Sequence, residues 1–76
     1  MLGYTLALVK TNKAANGRGL GVKLGRVCIR NDVPVQTVAY HFKVSRQTIY
    51  NWFSGKRHPQ ATMHAGIESY ITAIGD

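Results

Sequence analysis

The sequence predicts a small all-α domain of four to five short helices, preceded by an N-terminal extension. Three observations support this fold class. Apolar residues recur every three or four positions from Leu20 onward, which is the spacing of amphipathic helices. Pro34, Gly55 and Pro59 interrupt that spacing at intervals that fit short helices. The chain has 76 residues, 45% of them hydrophobic, which is enough for one modest core.

We expect residues 1–19 to form an N-terminal extension or basic arm and residues 20–76 to form the helical domain. Residues 2–9 fit either a short strand or a short helix. A strand would place alternate apolar residues on one face: Leu2, Tyr4, Leu6 and Leu8. A helix would instead align Leu2, Leu6 and Val9. Residues 10–19, KTNKAANGRG, are polar, basic and glycine-containing, which is typical of an arm or a linker.

The first helix of the domain is predicted to begin at Leu20. Its apolar stripe falls at i, i+4, i+7 and i+8: Leu20, Leu24, Val27 and Cys28. The stretch RNDVP ends this helix, because the residue before a proline avoids the helical region. Pro34 lies at or beside the first position of a second helix, which ends near Lys43. Four apolar residues form its stripe: Val35, Val38, Ala39 and Phe42.

Ser45 is expected to cap a third helix over about residues 45–54, since its hydroxyl can accept a backbone N–H two or three residues on. This helix buries Ile49, Trp52 and Phe53, and their spacing favours core packing of the indole over base stacking. Gly55 is expected to end it. The last helix begins near residue 60 or 61, and its stripe holds Met63, Ile67, Tyr70, Ile71 and Ile74.

The second and third helices are separated by only three or four residues, FKVS. This spacing indicates a helix-turn-helix, in which the first helix braces against the DNA backbone and the second enters the major groove. Ala39 is small where the two helices must approach each other. Val44 is apolar just after the turn, where it can fill the space between them.

The stretch VQTVAYHFKVSRQTIYNWFSGKRHP, residues 35–59, resembles the lambda-repressor-like family of helix-turn-helix regulators, which includes Cro-type repressors. The resemblance extends more loosely over residues 20–75. It differs at the turn, where Lys43 stands in place of the usual glycine. A left-handed backbone there costs a non-glycine residue about 1 kcal/mol, although a lysine at this place can reach a phosphate.

The resemblance and the outward-facing positions of the third helix indicate the same base contacts: Arg46, Gln47, Tyr50 and Asn51. Arginine can bridge guanine O6 and N7, and glutamine or asparagine can bridge adenine N6 and N7. Phosphate contacts are expected at flanking positions: Gln36, Lys43, Ser45, Lys56 and Arg57. Lys10, Lys13 and Arg18 fit either a minor-groove arm or an ordinary solvated linker.

The charge balance favours a polyanionic partner, although basic charge could also serve only for solubility. The chain has ten Lys and Arg against three Asp and Glu, a net charge of +7. All ten cations lie in residues 1–57, where Asp32 is the acidic residue. Such an asymmetry is typical of a protein that contacts nucleic acid with most of its chain.

We expect neither an enzyme nor a metal or cofactor site. His41, His58 and His64 have no cysteine pair or HExxH motif beside them. Cys28 is the single cysteine, so no intramolecular disulfide can form, and its place on an apolar stripe favours a buried, inert thiol. The first ten residues lack the pattern of a signal peptide and are too short to span a bilayer, so we expect a cytoplasmic protein.

The resemblance implies a sequence-specific double-stranded DNA-binding regulator of the phage repressor type. A homodimer is expected, since one recognition helix covers a half-site only; the last helix or residues 2–9 would supply its surface. One alternative is a protein of the same fold that binds and inhibits a host protein. Another is a DNA-binding accessory factor in recombination or packaging.

Overall fold

In a computed structural model of the protein, which describes residues 4–75, the fold is all-α, as predicted. Five α-helices follow one another in this range: α1 Leu6–Ala14, α2 Leu20–Arg30, α3 Val35–Phe42, α4 Arg46–Ser54 and α5 His64–Ile74. A 3₁₀ turn, Ala61–Met63, leads directly into α5. The predicted bounds of α2, α3 and α4 are thereby confirmed, whereas the last helix, expected from residue 60 or 61, starts as the 3₁₀ turn and becomes α-helical only at His64. Within residues 4–75, the helices are too short or too polar to cross a bilayer.

The helical interpretation of the N-terminal segment is correct from Leu6 onward, and Leu2 lies outside the described residues. Thr5 caps α1, because its Oγ1 accepts a hydrogen bond from the backbone N–H of Leu8 at 3.2 Å. Leu8 and Val9 pack against the core. The predicted helical stripe is nevertheless wrong at Leu6, which is 66% exposed. It is wrong because α1 turns a different face inward, the one that carries Asn12.

The expectation of an arm or linker over residues 10–19 is wrong for residues 10–14, which complete α1. This helix packs against both α2 and α4. Arg26 holds its C-terminal end, because Nη2 donates to the carbonyl oxygens of Ala15 at 3.0 Å and Lys13 at 3.4 Å. A helix end leaves four carbonyls without intrahelical partners, so this arginine acts as a cap.

The core is built where α2 crosses α4, and two glycines of α2 set the distance between them. A Cβ at Gly21 would lie 2.8 Å from Cβ of Trp52 and 2.9 Å from the Trp52 carbonyl oxygen. A Cβ at Gly25 would lie 2.8 Å from Cγ of Phe53. The two helices therefore touch backbone to side chain with no space for a methyl group. The predicted core residues of α2, α3 and α4 surround this crossing.

Asn12 joins α1 to both of these helices. It is 3% exposed, and its Nδ2 donates to the carbonyl oxygens of Phe53 at 2.7 Å and Val22 at 3.2 Å. Phe53 lies in the last turn of α4, where a carbonyl has no intrahelical partner. The asparagine thus supplies a buried donor where the backbone needs one.

Tyr4 and Cys28 belong to the same buried cluster. The Tyr4 hydroxyl donates to the Val33 carbonyl oxygen, and its ring lies 6.1 Å from that of Phe53. Burial raises the pKa of the Tyr4 phenol, and burial also raises the pKa of the Cys28 thiol to about 12. Both groups therefore stay protonated at neutral pH.

Replacement of either core glycine should destabilise the protein. Gly21→Ala and Gly25→Ala each place a methyl group inside the α2–α4 contact, and overpacking of this kind costs about 1–3 kcal/mol. Gly66→Ala in α5 is the matched control, since its nearest neighbour would be Cε1 of Phe42 at 3.9 Å. There the better helix propensity of alanine should stabilise by about 0.5–1 kcal/mol. Urea unfolding measures the free energy of unfolding of all three variants. Equal changes in this free energy at the three positions would contradict the close α2–α4 contact.

Removal of the Asn12 donor should also destabilise the fold. Asn12→Ala leaves the Phe53 carbonyl unpaired, at a cost of about 1–3 kcal/mol. Asn12→Asp has nearly the same shape but brings a carboxylate against two carbonyl oxygens, so at pH 7 it should cost more. Its deficit relative to wild type should be smallest below about pH 3.9, the pKa of an unfolded aspartate, and grow as the pH rises. An Asn12→Ala variant as stable as wild type would show that donation is not needed, and equal unfolding free energies of the two variants at pH 7 would contradict the added cost of the carboxylate.

Candidate nucleic-acid interface

The turn between α3 and α4 takes three residues, and Lys43 gives it its shape. Lys43 has φ 57° and ψ 44°, the left-handed conformation that glycine adopts at lower cost. Its N–H donates to the Tyr40 carbonyl at 3.2 Å, and the Val44 N–H donates to the Ala39 carbonyl at 3.0 Å. These bonds satisfy the end of α3. The strained backbone inferred from the sequence at this lysine is therefore present.

Both ends of α4 are fixed as predicted. The Ser45 Oγ accepts a hydrogen bond from the Thr48 N–H at 3.1 Å and lies 2.9 Å from Thr48 Oγ1. Gly55 ends the helix with φ 81°. The Arg57 N–H then donates to the Asn51 carbonyl at 3.3 Å, so the chain folds back on the last turn. Lys56 and Arg57 are consequently exposed beside the C-terminal end of α4.

One side of α4 is buried and the other faces solvent. Ile49 and Phe53 are fully buried and Trp52 is 4% exposed, with its ring 6.1 Å from that of Phe42 in an edge-on arrangement. The predicted base-contacting residues lie on the remaining surface of the helix. Three of them are exposed and the fourth is partly buried: Arg46, Gln47 and Tyr50, then Asn51.

Two amides on this surface are linked to each other. Nε2 of Gln47 donates to Oδ1 of Asn51 at 3.2 Å, across one helical turn. This bond restrains both side chains and leaves Oε1 of Gln47 and Nδ2 of Asn51 for other partners. The pair can therefore offer an acceptor and a donor side by side.

A groove along α4 brings in residues that the sequence did not indicate. Its far wall is α1, and its near wall includes three of the predicted base contacts. Its lining residues are Thr5, Ala7, Leu8, Thr11, Gln47, Tyr50, Asn51, Ser54 and Lys56. Helix α1 thus borders the polar side of α4 without covering it. The four groove-lining residues from the N-terminal segment carry no pattern typical of DNA contact, so only the fold could place them here: Thr5, Ala7, Leu8 and Thr11.

The other residues predicted to contact DNA lie either on α3 and the turn after it or on α1 and the turn after it. Gln36 is exposed in the first turn of α3, and Lys43 is exposed at the turn before α4. Lys10 and Lys13 are exposed on α1, and Arg18 is exposed in the turn before α2. The minor-groove arm is therefore contradicted for the two lysines, because they belong to a packed helix rather than to an extended chain.

The surface around α4 is positively charged. Residues 43–58 contain Lys43, Arg46, Lys56 and Arg57 and no acidic residue. In the part of the chain that the structure describes, no three His, Cys, Asp or Glu side chains gather as metal ligands would. Comparison with protein-family models, curated proteins and solved structures found no match to this chain.

Proposed function

We propose that the protein is a sequence-specific double-stranded DNA-binding regulator that inserts α4 into the major groove. One observation supports this most directly: the side of α4 opposite its buried indole carries exposed guanidinium, amide and phenol groups without an acidic neighbour in residues 43–58. The major groove of B-DNA is about 12 Å wide and accepts one α-helix. Because Trp52 and Ile49 fix the rotation of α4, its polar side is the one presented outward.

The outward-facing side chains of α4 have hydrogen-bonding groups that match those of base edges in the major groove. Arg46, in the first turn of α4, can donate two hydrogen bonds to guanine O6 and N7. The linked amides of Gln47 and Asn51 can accept from N6 of adenine and donate to its N7. Tyr50 is 41% exposed and can contact the methyl group of a neighbouring thymine. Each good pair contributes about 1–3 kcal/mol of discrimination.

The cations at the two ends of α4 would fix its position along the DNA by contacting phosphates. Lys43 before α4 and Lys56 and Arg57 after it lie at the two ends of the helix, where the DNA backbones border the major groove. The Ser45 hydroxyl already caps α4, so its phosphate contact would use only the remaining capacity of that oxygen. Gln36 would approach the same backbone from the first turn of α3.

We further propose that the protein acts as a homodimer in the cytoplasm and is not an enzyme. One α4 covers about half of an operator, and two copies related by a twofold axis would read a palindrome. The single buried thiol of Cys28 fits a reducing compartment. This is the organisation of a small phage-type repressor.

A host-protein partner is the second candidate, favoured by one observation. Tyr40 is 86% exposed and lines a shallow groove together with His41 and Tyr70, and tyrosine is enriched at protein interfaces. Salt separates the two functions, because duplex affinity depends on phosphate contacts and falls with a log–log slope of about −0.9 for each. An inhibitor of a host protein would show little duplex affinity at physiological salt.

Loss of the two amides should remove sequence preference. After selection of a consensus from random duplexes, Gln47→Ala/Asn51→Ala should lose about 1–3 kcal/mol of consensus binding per lost base contact. Its affinity for random duplexes should persist, since the cations remain. Gln60→Ala, an exposed amide outside α4, is the control and should bind as wild type does. Fluorescence anisotropy reports both affinities, and an unchanged consensus affinity of the double variant would refute the proposed reading surface.

Substitution of Lys43 should raise the stability of the fold and lower its affinity for duplex DNA. Lys43→Gly relieves the left-handed backbone and should stabilise by about 1 kcal/mol. The same variant loses a phosphate contact, so its salt slope for duplex binding should become shallower by about 0.9. Lys43→Asn, which also tolerates this conformation, should weaken binding equally with less gain in stability. Unchanged salt slopes in both variants would remove Lys43 from the interface.

A further inference from the structure

A second set of cations lies on α2, away from the candidate interface. Lys23, Arg26 and Arg30 are exposed and fall at i, i+3 and i+7, one side of a helix. Two shallow grooves meet along this side, one lined by Lys13 and the other by Lys23, with the two arginines lining both. The resulting second basic surface is defined here as Lys13, Lys23 and Arg26.

Arg26 is held in place at the centre of this surface. Its Nη2 donates to the carbonyl oxygens of Ala15 and Lys13, so the guanidinium is restrained by partners that carry no formal charge. Arg30 is not counted in this surface, because the acidic Asp32 follows it closely in the sequence. A fixed cation between two exposed lysines suits a row of anionic groups more than a single small ion.

The second basic surface faces away from α4. Gly21 and Gly25 mark the side of α2 that touches Trp52 and Phe53, and at 100° per residue the cations project about 150° away from that side. The polar side of α4 in turn lies opposite the side that touches α2. The two basic surfaces are thus separated by both helices, whose axes pack about 8–10 Å apart. A straight duplex bound by α4 cannot reach Lys23 or Arg26.

We propose that the second basic surface binds the phosphate backbone of a second DNA duplex, so that one domain bridges two DNA segments. Lys23 and Arg26 are separated by about 4.5 Å along the axis of α2. This is comparable with the axial spacing of about 3.4 Å between phosphates on one DNA strand. Helix α2 carries no asparagine or glutamine beside its exposed cations, so this contact is independent of the base sequence of the DNA. The inference rests on the proposed function only in that α4 binds the first duplex.

The composition of this surface favours DNA over a membrane. Helices that bind lipid surfaces insert large apolar side chains beside their cations. Among residues 4–75, the exposed large hydrophobic side chains are Leu6, Tyr40 and Tyr50, and none of them belongs to α2. A hydrated phosphodiester backbone needs no such insertion.

Energy transfer between two random duplexes, one with a donor and one with an acceptor dye, tests the proposal at about 0.15 M salt. Wild type should bring the dyes together. Lys13→Gln/Lys23→Gln should abolish transfer or require at least tenfold more protein, while single-duplex affinity persists. The control Ala65→Glu/Thr72→Glu lowers the net charge of +7 by the same two units on the exposed side of α5. It should bridge as wild type does, because neither residue lines the two grooves of the second basic surface and salt screens exposed charges increasingly with distance.

Three outcomes would overturn the inference. One is the absence of transfer with wild type, and another is equal loss in both double variants, which would make net charge the cause. The third is normal transfer with Lys13→Gln/Lys23→Gln, which would assign bridging to two α4 surfaces of a dimer. Gln47→Ala/Asn51→Ala separates this result from the proposed function, since it should lose consensus preference and still bridge random duplexes.

Discussion

The close contact between α2 and α4 is the constraint on which the other features depend. Gly21 and Gly25 leave no space for a Cβ against Trp52 and Phe53, so α4 has one possible rotation about its axis. The buried amide of Asn12 then joins α1 to the same pair of helices through the Phe53 carbonyl. Because the indole side of α4 is fixed by contact, its amide side must face outward. The candidate interface is thus a consequence of packing.

Much of this architecture could be predicted from the sequence, and the reason is periodicity. Helices α2 to α5 each carry an apolar stripe, and Ser45, Gly55 and the prolines mark their ends by local backbone chemistry. Helix α1 differs, because it docks through a polar residue. An asparagine inside a basic stretch gives no sign of burial, and only the unpaired carbonyl at the end of α4 makes Asn12 favourable there. The groove between α1 and α4 could not be foreseen for the same reason.

The turn before α4 shows how binding and stability can be in conflict within three residues. A glycine at position 43 would relieve the backbone, whereas the lysine keeps a left-handed conformation and a cation at the N-terminal end of α4. Local strain at a site of this kind is typical of positions where function and folding place different demands on one residue. Sequence alone could identify the conflict, since both the position in the turn and the cost for a side chain are local properties.

The positive charge of the chain is not confined to α4 and the residues beside it. Residues 43–57 carry Lys43, Arg46, Lys56 and Arg57, and the remaining six of the ten Lys and Arg lie before the helix-turn-helix. The domain measures about 31 × 23 × 21 Å, so these cations are held close together, and those on α2 project away from the side of α2 that touches α4. Mutual repulsion among them is unfavourable for the compact state. A second polyanion on the far side of α2 would offset that repulsion, which links the excess charge to bridging rather than to tighter binding at α4.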